Sequence, residues 1–220
     1  MELFKYCRRE YWYALNARGC VRVGSLHDYQ RTDKYGELTA DALEGSKRLA
    51  GTIYGVTEQN IASYPGLEGL IHIEGDGNIG IEEVVVSNYV RSVPNLLVFS
   101  ASASYSSVTH KRWYYEERYD TCYKILSARL FFRALTEVLG RQYVFLGFGR
   151  VHYADEIDIA TPEAGIHPAL VKRRTGYSDQ AEIRALWQMR EGQNPSPVIL
   201  PESRVRLYAQ LRAILPASEG

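Results

Sequence analysis

In residues 177–190, YSDQAEIRALWQMR, Gln180 and Glu182 stand two apart inside what reads as a buried strand. Alternate residues of a strand share a face, so the two side chains would project together from one side. A carboxylate beside an amide aimed at one spot suits charge stabilisation and the orientation of a bound group. The same spacing joins Glu182 to Arg184, and a structural ion pair along the strand is the competing account.

Three other groups carry chemistry-bearing residues at expected strand ends. Lys5 and Tyr6 lie in FKY, Arg22, Ser25 and Tyr29 in VRVGSLHDY, and Ser100, Ser102 and Ser104 in VFSASAS. Arg22 offers a planar fork that matches phosphate oxygens, or a clamp on Asp28 or Asp33. The serines supply supporting hydroxyls or a plain polar loop. Tyrosine is over-represented, 17 of 220 residues, often beside polar neighbours. Its flat apolar body and polar tip suit a site that stacks a planar ligand, although half-buried packing explains any single one.

Common site signatures are missing: no GxGxxG opening a helix, no GxxxxGK[ST], no HExxH and no GxSxG. His27, His72, His110, His152 and His167 show no paired ligand spacing, so no metal site is expected. Cys7, Cys20 and Cys122 are odd in number and lack zinc spacing, which fits a reduced, cytoplasmic protein. Basic and acidic residues balance at 26 each, giving no overall attraction to nucleic acid or anionic membrane. The basic run Lys172-Arg173-Arg174 reads as solvated surface. No apolar run approaches a membrane span.

The elements that must hold these residues follow from periodicity. Residues 3–7 predict a strand, 8–18 a helix stopped by Gly19, and 20–26 a second strand. Residues 27–48 are polar and read as an irregular loop with a helical turn and the length of a lid. Strands are expected over 52–56 and 69–86, with a turn at Asp76-Gly77-Asn78. Residues 95–104 begin as a buried strand, 110–117 suit a short helix, and 121–126 another strand. Ser127 caps a helix whose Leu130, Phe131, Ala134, Leu135 and Val138 share a face up to Gly140. Residues 141–153, 169–172 and 180–187 continue the sheet, and 204–215 predict a terminal helix. The expectation is a strand-rich α+β single domain over 1–220, with its core in 3–188.

The motifs FKY, GCVRVGSLHDY, VFSASAS, YDTCYKI, GRVHY and QAEIRALW together resemble an uncharacterised bacterial family with Lys-Tyr, Phe-Ser and Glu-x-Arg elements. More distantly, the layout is similar to the ADP-ribosyltransferase superfamily. That superfamily has a His or Arg on its first strand, a Ser or Tyr motif on a central strand, and a late Gln/Glu-x-Glu. The resemblance implies an ADP-ribosyltransferase fold that uses NAD as substrate. It makes Glu182 the carboxylate that steadies an oxocarbenium-like centre and Gln180 the orienting partner. Lys5, Tyr6, Arg22, Ser25, Tyr29, Ser100 and Ser102 are then the NAD-binding set. The first strand departs from the pattern, carrying Lys5 and Tyr6 where the superfamily has His or Arg. The resemblance further implies an acceptor that is nucleic acid, nucleotide or protein. It suits a bacterial toxin or anti-phage effector with a neutralising partner protein. A non-catalytic module that binds a nucleotide or protein on the same fold is the alternative, and a nucleosidase or nuclease pairing Glu182 with His110 is a third.

Overall fold

A computed structural model describes residues 1–31, 33, 41–73, 80–190 and 193–215. β1 (Leu3–Cys7) leads into α1 (Arg9–Arg18), and Gly19 ends that helix in the left-handed region at φ 75°. No side chain fits there, since a Cβ would stand 1.9 Å from the carbonyl oxygen of Ser203. The chain near Ser203 crosses the helix end and bonds to it. The Ser203 amide donates to the Arg18 carbonyl at 3.2 Å, and its hydroxyl donates to the Gly19 carbonyl at 2.6 Å. β2 (Val21–Ser25) and a short α2 (Leu26–Tyr29) follow, the latter capped by the Ser25 hydroxyl.

β5 (Leu97–Ser102) is the hub of the main sheet. β11 (Glu182–Met189) runs antiparallel along one edge, with Glu182 opposite Ser102 and Arg184 opposite Ser100. The other edge is divided: β2 takes the Leu97–Val98 end and β1 pairs at Ser102. Beyond β1 come β6 (Thr121–Ile125) and β13 (Ala209–Ile214); beyond β2 comes β12 (Val198–Leu200); β7 (Tyr143–Arg150) pairs with β11. The sheet therefore forks beside Ser100, between β1 and β2.

Strand alternation sorts the two faces. Phe99 and Ala101 of β5, and Ile183, Ala185 and Trp187 of β11, join the main core with Leu3, Trp12, Leu15, Phe131 and Phe132. These last residues come from β1, α1 and the helix Ala128–Leu139. Ser100, Ser102, Glu182 and Arg184 fall on the opposite face. A second, smaller core forms around the antiparallel strands β3 (Ser46–Thr57) and β4 (Gly80–Ser92), with β9 (Ile157–Asp158) parallel to β3. The short strands β8 (His152–Tyr153) and β10 (Val171–Lys172) form a separate parallel pair. In chain order α3 is Ser107–Glu117 and α4 is Ala128–Leu139. Among the described residues no helix is long and apolar enough to cross a membrane.

Several expectations are corrected. The terminal helix over 204–215 is instead a 3-10 turn, Arg204–Tyr208, followed by β13, which pairs with β6. Residues 169–172 do not extend the main sheet; they form the end of a 3-10 turn and β10. Residues 69–73 carry no strand, and β4 begins only at Gly80. β3 starts at Ser46, inside the expected loop, whose helical turn is α2 at its beginning. The turn at Asp76-Gly77-Asn78 and the middle of the supposed lid lie outside the described residues. Ser127 does cap α4, but Leu130 and Val138 face outward while Phe132 and Leu139 are buried. The sheet presses on a face rotated from the one that period alone suggested.

Candidate functional site

A cavity of about 110 Å³ opens at the fork. Of the nine residues expected in the catalytic pair and the NAD-binding set, eight line it: Lys5, Tyr6, Arg22, Tyr29, Ser100, Ser102, Gln180 and Glu182. Ser25 does not. Its hydroxyl accepts the Asp28 amide at 3.2 Å and caps α2 from a buried position outside the cavity wall.

Gln180 and Glu182 reach the same place by a route the period did not show. The strand begins at Glu182, and Gln180 ends a 3-10 turn, Ser178–Gln180. Ala181 between them is left-handed, φ 45° and ψ 47°. Its carbonyl accepts the Ala103 amide at 2.8 Å, and the Glu182 amide donates to the Tyr153 hydroxyl at 3.0 Å. The preceding turn is tied to α3 by Arg112, which grips both Asp179 oxygens at 3.0 Å. Left-handed geometry costs a non-glycine residue roughly 1–2 kcal/mol. Replacing Ala181 by Gly should therefore raise the melting temperature by about 1–3 °C after the added unfolded-chain entropy is subtracted. A thermal melt reads the effect, and a lower melting temperature would contradict the strain.

Glu182 sits in a buried ion network. Its Oε1 accepts from Arg184 Nε at 2.8 Å, and its Oε2 accepts from Arg184 Nη2 at 3.3 Å and Lys172 Nζ at 3.4 Å. The other side of the Arg184 guanidinium grips Glu44, with Nη2 to Oε2 at 3.0 Å and a second bond from Nη1 to Oε1. Arg184 Nη1 also donates to the Ala169 carbonyl at 2.8 Å. Lys172 donates to Gln180 Oε1 at 3.1 Å and stands 4.2 Å from the centre of the Tyr177 ring. Arg184, Lys172, Glu44 and Glu182 are all buried.

Burial opposes the charge on Glu182, but Arg184 and Lys172, with hydrogen bonds from Arg184 and Ser100, hold its carboxyl well below the usual range. Burial pushes Glu44 the other way, although Arg184 and Lys172 pull against it. The ion pair between Glu182 and Arg184 is thus present, and it belongs to the cavity wall. Arg22 pairs with Asp28 and lies 5.9 Å from the Tyr29 ring centre, so its clamp on the acidic segment is real too.

Tyr6 brings an aromatic shelf. Its ring stacks on Trp113 at 6.4 Å and 13°, and Trp113 stacks on Tyr119 at 5.3 Å and 5°. All three line the cavity. The Tyr6 hydroxyl accepts the Ser106 amide at 2.9 Å, and burial raises its pKa to about 12. His110 packs behind Tyr6 at 5.3 Å and is absent from the cavity wall, so it does not face Glu182 across the site. Among the described residues no group of three His, Cys, Asp or Glu is placed to hold a metal ion.

Sequence reasoning missed Lys172, Glu44, Trp113 and Tyr119. Lys172 was hidden in a basic run whose first member alone is buried; Arg173 leaves the run to pair with Asp41 at 3.0 Å. The apolar PALV just before it was the available signal, since it draws the next side chain toward the interior. No family model matches this chain, nor does any curated protein or solved structure match it significantly.

Proposed function

We propose that the protein is an ADP-ribosyltransferase-like enzyme, with the fold of that superfamily and NAD as substrate. It cleaves the bond between nicotinamide and ribose and passes the ADP-ribosyl group to a nucleic acid, nucleotide or protein. The carrying observation is an ionised, buried Glu182 on the wall of a cavity that also holds a three-ring aromatic shelf. A fixed carboxylate steadies the positive charge that develops at the ribose as nicotinamide leaves. Ser100 and Arg184 hold that carboxylate in place, and the bond from Lys172 orients the Gln180 amide beside it. The stack of Tyr6, Trp113 and Tyr119 offers aromatic surface on the cavity wall to the nicotinamide ring. A cavity of about 110 Å³ suits one end of the dinucleotide rather than the whole. Consumption of NAD would suit a toxin or anti-phage effector.

One observation favours a second reading, a module that binds a nucleotide or protein without cleaving it. Both oxygens of Glu182 are already bonded to Arg184, and one to Lys172 as well. The test is nicotinamide release from NAD by wild type and Glu182→Gln, with DNA, RNA and lysate protein offered as acceptors, beside calorimetric titration of NAD. The transferase reading expects release to fall about 100-fold or more in the variant. Equal release by the two proteins sinks it. NAD binding without release supports the second reading, and no binding heat removes NAD from both.

A further inference from the structure

Lys5 occupies an unusual position. Strand alternation places it with Leu3 and Cys7 on the helix-covered face, opposite Tyr123 of β6, yet it lines the cavity on the other side. Its side chain passes through the fork, where β1 and β2 separate. There the ammonium donates to the Ser100 carbonyl at 2.7 Å, 5.2 Å from the centre of the Phe99 ring. Among the described residues no carboxylate lies within ion-pair distance of it. An ammonium has three donors, and one carbonyl uses one of them.

The cavity wall carries Lys5, Arg22, Lys172 and Arg184 against Glu44 and Glu182, and Arg22 is matched by the buried Asp28, so Lys5 is the cation left over. Glu44 and Glu182 are bonded to Arg184, and Glu182 also to Lys172. Burial lowers the Lys5 pKa from the ordinary lysine value; Glu182 and Cys7 oppose this, while Arg22 and Lys172 add to it. Holding a charged amine in such a place merely to satisfy one backbone carbonyl is costly. A neutral amine there is a nucleophile.

We infer that Lys5 is a nucleophilic lysine, and that its cavity takes an aldehyde or ketone bearing an anionic group, which the amine captures as an imine. The amine nitrogen adds to the carbonyl carbon and a C=N bond replaces C=O. The oxygen leaves as water, taking both amine hydrogens. Arg22 and Lys172, paired with Asp28 and Glu182, are the cationic donors on the wall that an anionic substituent would share. This capture uses the same cavity as the proposed NAD site but does not depend on NAD chemistry.

Glyoxylate is the smallest suitable probe, and propanal is its neutral counterpart. The intact protein is treated at neutral pH with each aldehyde and cyanoborohydride, which reduces the imine to a stable secondary amine, and adducts are mapped by peptide mass. The rate at Lys5 is divided by the rate at Lys111, which is exposed, so that intrinsic aldehyde reactivity cancels. With glyoxylate the ratio is expected to exceed ten, and to exceed the propanal ratio several-fold. A glyoxylate ratio at or below one overturns the proposal, whether the cause is a charged amine or a closed cavity. Equal ratios for the two aldehydes overturn the anionic preference. The assay contains no NAD, so a failure of nicotinamide release leaves its outcome untouched.

Discussion

Replacing Arg184 by Met is expected to lower the melting temperature by roughly 6–20 °C. Its guanidinium is buried between two buried carboxylates and also bonds the Ala169 carbonyl. Removing one member of such a network leaves uncompensated charge inside, at a cost of about 3–5 kcal/mol. For a chain of this size each kcal/mol moves the midpoint by about 2–4 °C. The deficit should depend on pH with a definite sign. In wild type the depressed pKa of Glu182 contributes stability that is present above the usual carboxylate range and lost as pH falls through the lowered value. Glu44, raised by burial, contributes in the opposite sense: its share is fully present at low pH and lost as pH rises through its folded pKa. Without the guanidinium both carboxyls move upward, so the variant suffers most at neutral pH and approaches wild type on acidification. Melts of both proteins across that range check this. A neutral-pH fall below about 2 °C would show that the network contributes little.

Trp187→Ala should be comparably damaging for a different reason and without that pH signature. Trp187 is completely buried in the middle of β11, packed against Phe132 and Phe145, and its indole N–H donates to Thr136 Oγ1 at 2.8 Å. Truncating a buried Trp costs about 3–5 kcal/mol through lost transfer energy and the cavity left behind. Trp187→Phe keeps much of the volume and loses the hydrogen bond, so about 1–2 kcal/mol is expected. Denaturant unfolding of both variants separates packing from bonding. Equal losses would mean that the bond to Thr136 dominates.

The elements with a strong local cause were legible. α1 stops where glycine permits a left-handed turn, and α4 begins at a serine that caps it. The segment 204–215 was not, because its spaced apolar residues fit a short helix as well as a strand, and the free edge of β6 decides between them. The site divides in the same way. Glu182, Ser100, Arg22 and Tyr6 were legible as polar or aromatic residues on strands, and they do meet in one cavity. Their meeting depends on β5 pairing with β1, β2 and β11, and no local period records that. Lys172 and Glu44 were obscured because each sits among residues that look solvated, and only tertiary burial separates them from their neighbours.

The fork in the sheet also orders events during synthesis. Lys5 and Arg22 leave the ribosome early, whereas Glu182 and Arg184 belong to a strand made much later. At roughly 5–20 residues per second the interval is on the order of ten to thirty seconds. In the second half of it, once β5 is made, that strand has no partner on the edge that β11 will cover, and Leu97, Val98 and Phe99 present an apolar strand open to other chains. Newly made copies are therefore most exposed to aggregation, and most in need of a chaperone, just before they are finished. The carboxylate on which the proposed chemistry depends arrives with the strand that closes that edge, so that proposal expects no activity from a chain that ends before it.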